Sequence, residues 1–472
     1  MKLRTRLITL SWSVLLLGFL TVPAHADFPP ASEKAASKND LNKQAGSQIP
    51  EALQSLPLED QIKEAIDNSL QPFSGSILLT QEGKTLLNMY KGRGINRQSS
   101  FVIASLSKQI TATLILQAVD AGKLQLDRSL NSYKFQNEAQ IDSEGSWEQD
   151  DEQPTGFNAK FETRQETVPE SDDQTEPETE EGKRTQVDED GSADSPSLAP
   201  QSPSSHRQSS QSSPEVLYGT STQTFQEQLR FNPTRFDERI TLHHLLSHTS
   251  GIDQLGKPNR FQPGTKFQYS NYGYTVLGEL LEQVNQQPLP QQIADFKLAY
   301  KLGGLYAEVG DIDAIRQRAP ALAIGLTETA NGLTQSDLMI TESLIPAGGI
   351  ISTTKAFSDF QQRLHAGKFI SSKSYQLMTS PHTKIDFLWP NMNYGYGLRL
   401  NFDDNLTEYS HTGYLSGYMS MTLYYPQFDL GLVMLENISL NLNSLDRVFE
   451  LHNQVREIIR NRLISTQIQD VK

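Results

Sequence analysis

The chain has 472 residues, with 56 Asp and Glu against 41 Lys and Arg and a formal net charge of −15. Hydrophobic residues make up 36%, below what a fully folded chain carries, so a sizeable stretch must lie outside any core. The acidity, with no cluster of Lys and Arg, excludes a nucleic-acid surface; zero Cys excludes a disulfide framework, a thiolate nucleophile and a lipid attached to a cysteine.

In chain order, Lys2, Arg4 and Arg6 precede an apolar run from Leu7 to Val22 and then Ala24-His25-Ala26. This is the pattern of a secretory signal peptide over residues 1–26, cut before Asp27. The alternative is a retained signal anchor, but the run is shorter than the roughly 20 residues of a spanning helix. No stable membrane span is therefore expected after cleavage. Export without disulfides fits a bacterial periplasm or the extracellular medium. Residues 27–57 are polar and read as a flexible leader, and the folded domain is expected over 58–472. Leu58, Ile62, Ala65, Ile66 and Leu70 recur at helical spacing and predict an amphipathic first helix. Ser76 to Thr80 and Lys84 to Tyr90 flank Glu82-Gly83, the pattern of an antiparallel hairpin.

Residues 137–215 hold 21 acids and 5 bases, a balance of −16 that leaves the rest of the chain at +1. Only seven large apolar residues fall there (Ile141, Trp147, Phe157, Phe161, Val168, Val187 and Leu198), too few to offset roughly 1–2 kcal/mol of backbone entropy per residue. Between Ser192 and Pro214, 14 of 23 residues are Ser or Pro. The segment is predicted to be a disordered insert, and its composition specifies no partner for it to recruit. Towards the end, Tyr418 to Tyr425 and Leu430 to Leu435 read as strands around Pro426 to Asp429. Val448, Leu451, Val455, Ile458 and Ile459 mark a closing helix. Strands at both ends with helical material between them predict an α+β fold, an antiparallel sheet beside a mostly helical region.

Three clusters can carry chemistry. Ser105-Leu106-Ser107-Lys108 sits at the start of an apolar-periodic helix, and spacing of three places Ser105 and Lys108 on one face. A serine needs an adjacent base, and a lysine serves only if its pKa is lowered. From the pair alone, nucleophile and helix cap are equally good readings. The one other Ser three residues before a Lys is Ser352 with Lys355, where a helix cap is the better reading. The second cluster, Pro263 to Asn271, offers Tyr269 as a proton carrier if cations lower its phenol pKa, and Asn271 as a donor and acceptor. The third is His411-Thr412-Gly413-Tyr414, entering a strand, where the glycine would admit a substrate close to backbone and a strand N–H could join that of Ser105 as an oxyanion donor.

The strings Phe101 to Gln109, Leu245-Leu246-Ser247-His248-Thr249-Ser250-Gly251-Ile252, Pro263 to Asn271 and His411-Thr412-Gly413 resemble, in this order, the class C β-lactamase-like serine hydrolases. That family includes β-lactamases, penicillin-binding carboxypeptidases, D-aminopeptidases and esterases. The resemblance runs from about Phe73 to the C-terminal helix. It implies a β-lactamase/transpeptidase-like fold with the site between sheet and helices, Ser105 as the acylated nucleophile, Lys108 as its proton partner and Tyr269 as a second acid/base. It further implies Asn271, His411, Thr412 and Gly413 at the substrate, with the N–H groups of Ser105 and Tyr414 as the oxyanion hole. No metal or organic cofactor is required, and the partner is a small-molecule or peptide substrate.

His411 stands where true β-lactamases carry the Lys of Lys-Thr-Gly. A His with an unperturbed pKa near 6.5 is largely neutral at neutral pH, so it is expected to act as a pH-switchable anion contact, and β-lactamase activity is demoted. The expected activity is hydrolysis of an ester or amide, with a D-amino-acid or peptidoglycan-type peptide in view. The rival is a penicillin-binding or sensor-like protein of the same fold without turnover, whose acidic insert recruits partners. His244 and His248 are spaced for zinc on a helix, but no HExxH is present and a structural loop is the better reading. Tyr394 to Leu398 either lines the pocket or supports the last strands, the latter preferred. Gly348-Gly349 lacks the residues of a phosphate loop and resembles the family's Ala-Gly-Gly turn.

Overall fold

The computed structural model describes residues 55–133, 236–253, 258–443 and 445–470, all within one compact unit. The signal peptide, the leader up to residue 54 and the insert over 137–215 lie outside the described residues. Among the described residues, no helix is long and apolar enough to cross a membrane.

Helix α1 (Leu58–Asp67) buries Leu58, Ile62, Ala65 and Ile66, a stripe at i, i+4, i+7 and i+8. Leu70, expected at the end of that stripe, is instead 92% exposed. The helix stops at Asn68, and Ser69 Oγ accepts from the N–H of Gln71 to turn the chain away. Strands β1 (Gly75–Gln81) and β2 (Lys84–Lys91) form the expected hairpin. Glu82 and Gly83 both take positive φ, +50° and +73°, the left-handed pair that matches the twist of the flanking strands. β3 (Ser100–Val102) runs into a 3₁₀ turn at Ala104–Leu106 and then α2 (Ser107–Asp120).

The described residues break off at Tyr133 and resume at Phe236, and the two edges lie side by side. The N–H of Leu130 donates to the carbonyl of Ile240 at 2.8 Å, and Asn131 Nδ2 donates to the carbonyl of Phe236 at 3.0 Å. The helical region follows as α3 (Leu242–Leu246), α4 (Asn271–Asn285) and α5 (Leu289–Ala299). After it come β4 (Leu305–Ala307), β5 (Gly310–Asp311), α6 (Ile312–Arg318), β6 (Leu326–Thr329), β7 (Gly332–Gln335) and β8 (Met339–Ile340). A π-helical turn (Ile345–Gly349) leads to β9 (Ile350–Thr353), α7 (Thr354–His365) and α8 (Ser372–Met378). The last stretch holds β10 (Thr383–Phe387), β11 (Trp389–Tyr394), β12 (Arg399–Asn401), β13 (Glu408–Leu415), β14 (Tyr418–Tyr425), β15 (Leu430–Glu436), β16 (Ile438–Ser439), α9 (Leu445–Val448) and α10 (Glu450–Asp470). Ser352 is a buried residue of β9 and not a helix cap. That role falls to Thr353, whose hydroxyl accepts from the N–H of Ala356.

The main sheet is antiparallel in the order β10-β11-β12-β13-β14-β15-β1-β2. β1 pairs with β15 from Gly75↔Glu436 to Gln81↔Leu430, so both ends of the chain build one sheet. β14 and β15 are buried on both faces, and successive side chains feed different cores. Leu430, Leu432 and Met434 pack with α1 and with Leu451, Val455 and Ile459 of α10. Val433 and Leu435 join the core that contains α2 and α4. Glu408, at the start of β13, is buried against Arg456 at 2.8 Å and Arg460 at 3.1 Å, which fastens α10 to that strand. Helix α2 is buried over most of its circumference; any ionisable group in its first turn is thereby removed from water.

Candidate active site

Ser105 lies in the tight turn before α2, directly after Ala104, which holds a left-handed φ of +48°. A residue with a Cβ rarely adopts that region, and strain of this kind collects at functional sites. Gly413 of β13 explains how the turn is accommodated. A Cβ on Gly413 would fall 2.8 Å from Ala104 Cβ, 3.0 Å from the carbonyl oxygen of Ile103 and 2.3 Å from Ser420 Oγ. The glycine was expected to make room for substrate. It makes room for the turn that carries Ser105, and it sets Gly413-Tyr414 beside Ala104-Ser105. Tyr414 is half-buried there, its phenol donating to the carbonyl of Leu440 at 2.6 Å.

Lys108, three residues after Ser105, is fully buried. Its Nζ lies 2.7 Å from Asn271 Oδ1, 2.6 Å from the carbonyl oxygen of Ala347 and 3.2 Å from Ser105 Oγ. Burial first, and then the Arg399 guanidinium, hold its pKa well below the usual lysine range. A neutral amine has two N–H groups and one lone pair. In that neutral form the two carbonyl-type oxygens can take the two N–H groups, which leaves the lone pair for the hydroxyl of Ser105. Asn271 thus holds the lysine, at the first residue of α4, where Ser270 caps the helix by accepting from the N–H of Gly273. The rings of Tyr269 and Tyr274 lie 4.8 and 5.4 Å from Nζ.

Tyr269 departs from expectation in its acidity. Burial raises its pKa to about 12, outweighing the opposite pull of Ser105 and Arg399, so at neutral pH it is a proton donor and not a phenolate. Its Oη is buried without a hydrogen-bond partner among the described residues. It lies near enough to Ser105 to feel that hydroxyl, but short of a formed hydrogen bond.

His411 also departs from expectation. It is fully buried, with Nδ1 2.7 Å from the carbonyl of Thr412 and Nε2 3.0 Å from Tyr394 Oη. Only an N–H can meet that carbonyl, so the network assigns the proton to Nδ1, and Nε2 accepts from the phenol of Tyr394. Burial, then Arg399 and Lys108, push its pKa well below 6.5. Both nitrogens are occupied within the protein and the ring is held neutral, so the expected switchable anion contact is absent here.

The cation sits elsewhere. Arg399 of β12 is 4% exposed, its guanidinium donating to Thr412 Oγ1 at 2.8 Å and lying 4.8 Å over the ring of Phe387. Among the described residues no carboxylate pairs with it. Because Thr412 accepts from Arg399, its own O–H is free to donate. The sequence reading passed over Arg399. Nothing in the sequence marks it, because between Leu398 and Leu400 it stands at the alternate position where a strand ordinarily carries a polar residue. Tyr394, considered only as one ring of a strand-edge segment, belongs to the site through His411. His244 and His248 do not converge on a metal, and no metal-binding group of His, Asp and Glu occurs among the described residues.

A serine on a strained turn, a buried amine 3.2 Å from its hydroxyl, a buried phenol near both and a facing sheet strand come together here, within the β-lactamase/transpeptidase-like fold. A family model described as Beta-lactamase matches residues 62–452, and the chain belongs to that family. Among solved structures, D-amino acid amidase from Ochrobactrum anthropi SV3 complexed with D-phenylalanine is 15% identical, with a TM-score of 0.55, covering 86% of this chain and 99% of that one. EstCE1, a hydrolase with promiscuous acyltransferase activity, is 16% identical at a TM-score of 0.54, with 86% and 99% covered. The octameric penicillin-binding protein homologue from Pyrococcus abyssi is 18% identical at 0.52, with 80% and 72% covered. At these identities the neighbours establish the shared fold. No curated protein matches the sequence.

Proposed function

We propose that this protein is an exported serine hydrolase that cleaves an ester or amide through an acyl-enzyme on Ser105. The observation that carries the reading is the threefold environment of Lys108 Nζ, whose two acceptors leave the lone pair for Ser105 Oγ. In this reading neutral Lys108 takes the Ser105 proton as Oγ attacks the carbonyl carbon. The N–H groups of Ser105 and Tyr414 receive the oxyanion. Collapse expels the leaving group, which takes a proton from Tyr269, and the Lys108 ammonium restores the phenol. Water then attacks the acyl carbonyl by the same route and frees Ser105.

Arg399 supports a substrate class. A buried cation without an acidic partner, polarising the Thr412 hydroxyl, favours substrates with a carboxylate beside the scissile bond, such as D-amino-acid peptides, over uncharged esters. Export rests on the basic, apolar and Ala-x-Ala pattern of residues 1–26.

The test is Ser105→Ala, expected to abolish both turnover of p-nitrophenyl esters and labelling by a fluorophosphonate. Ser352→Ala is the control and should leave labelling intact, since its hydroxyl is spent on the carbonyl of Thr353. Persistent labelling of the Ser105→Ala protein refutes the assignment. A stable adduct on Ser105 with no product release would favour the sensor reading instead.

A further inference from the structure

The Leu-Leu-Ser-His-Thr-Ser-Gly segment is both a family motif and a structural loop, and its histidine holds the Tyr269 strip at three points. His248 is fully buried and holds a left-handed φ of +58°, a conformation that a histidine keeps only when its surroundings enforce it. Its carbonyl accepts from the N–H of Gln268 at 2.9 Å. Its Nδ1 accepts from the N–H of Ser270 at 3.1 Å. Those two donors flank Tyr269, and the second also precedes Asn271. The imidazole then lies against the Tyr269 ring, with centroids 4.3 Å apart and planes 35° from parallel. Tyr394 at 4.8 Å and Tyr274 at 5.1 Å complete the enclosure.

Since Nδ1 accepts from a backbone N–H, the ring's proton is on Nε2, and Nε2 is buried without a hydrogen-bond partner among the described residues. A purely structural histidine would be expected to satisfy that donor. Here the donor is enclosed by aromatic rings beside Lys108, and the imidazole stays neutral because burial, Lys108 and Arg399 all oppose its protonation. A neutral ring in that place adds no charge next to the amine that must give up its own.

We propose that His248 is a positioning residue of the hydrolytic site. It holds the backbone on both sides of Tyr269, at Gln268 and at Ser270, the residue before Asn271, so that the phenol stays at Ser105 and the Asn271 amide stays on Lys108. The inference rests on the serine-hydrolase reading above. It concerns a residue that touches neither Ser105 nor the reacting carbonyl, and it acts through Tyr269 and Asn271.

Two variants separate its contacts. His248→Phe keeps a ring against Tyr269 and loses the acceptor for Ser270. His248→Asn keeps a short acceptor, tolerates the left-handed backbone better than histidine and loses the ring. The purified full-length parent and both variants are compared by fluorophosphonate labelling, p-nitrophenyl ester kinetics across pH, and thermal unfolding. The expected result for His248→Phe is a loss of about 100-fold in kcat with KM within about threefold. With the strip loosened, water reaches Lys108, so the low-pH limb of the rate profile moves to higher pH. His248→Asn is expected to recover about tenfold of that loss, and to melt at or above the temperature of His248→Phe.

A low-pH limb unmoved in both folded variants, or rates that follow melting temperature alone with Asn no better than Phe, would overturn the positioning role and leave the Ser105 reading standing. Absence of labelling on the parent protein would overturn that reading and this assignment with it.

Discussion

Replacing Lys108 by methionine tests the site where function and stability are most tightly joined. The lysine is folded with its pKa well below 10.5, so the unfolded chain binds a proton there that the folded chain does not. The sign follows directly: stability rises with pH between the folded-state pKa and about 10.5, and it is lost as pH falls through that window. The slope from one such group is about 1.4 kcal/mol per pH unit. Lys108→Met removes this slope. It also leaves the oxygens of Asn271 and Ala347 without their donor, at about 1–3 kcal/mol each. The two effects oppose each other in absolute stability and separate in pH dependence. Urea unfolding of parent and variant at pH 7, 8, 9 and 10 should therefore give a parent curve steeper by about 1.4 kcal/mol per unit over the part of the window above the folded pKa. Ester turnover should fall by roughly 10²–10⁴, the contribution of a positioned general base. Parallel curves would mean that Lys108 is charged in the folded protein, and the base assignment would fail with them.

Further outcomes concern the facing strands. Arg399→Met should reduce kcat/KM for carboxylate-bearing substrates by about 10–100-fold, as expected for loss of a charged hydrogen bond of roughly 1.5–3 kcal/mol, and spare neutral esters measured on their pH plateau; equal losses for both would dismiss Arg399 as the anion contact. Because the His411 pKa is pushed below its ordinary value, acidification to pH 6 should bring no selective gain for carboxylate substrates, and a gain centred near pH 6.5 would contradict the buried neutral imidazole. Gly413→Ala would force a Cβ into Ala104 and Ser420, and should cost about 1–3 kcal/mol in urea unfolding together with at least tenfold in acylation rate; an unchanged rate would show that the turn yields without moving Ser105. Glu408→Gln leaves Arg456 and Arg460 without their buried carboxylate, and a loss of about 3–5 kcal/mol is expected.

Local pattern carried much of the fold. Glu82-Gly83 set between two β-rich runs predicted a hairpin whose turn has the left-handed pair such a sequence allows. The first helix was readable from its stripe, and its end was misread at Leu70, because a hydroxyl turn at Ser69 competes there with periodicity. At the site, the Ser105 to Lys108 spacing is local and visible. The partners that decide what the lysine does are not: Asn271 and Ala347 come from 163 and 239 residues away. The acidity of Tyr269 and the tautomer of His411 could not be read at all, because burial sets them and burial is a property of the assembled sheet and helices. Arg399 shows the reverse case, a residue plainly present in the sequence whose meaning appears only when no acid is found beside it.

The seam at Leu130–Ile240 and Asn131–Phe236 divides the chemistry in an unequal way. Everything before it supplies β1, β2, the turn with Ser105 and the helix with Lys108; everything after it supplies Asn271, Tyr269, Ala347, Arg399 and the strand facing Ser105. A cut anywhere in residues 134–235 would leave two fragments joined by the β1 to β15 ladder, one holding a serine whose lysine has lost both oxygens that orient it. Neither fragment would carry an oriented base alone. Hydrolysis would then report on the reunion of the two pieces, which makes this chain a candidate for a split enzyme whose halves are already drawn by its topology.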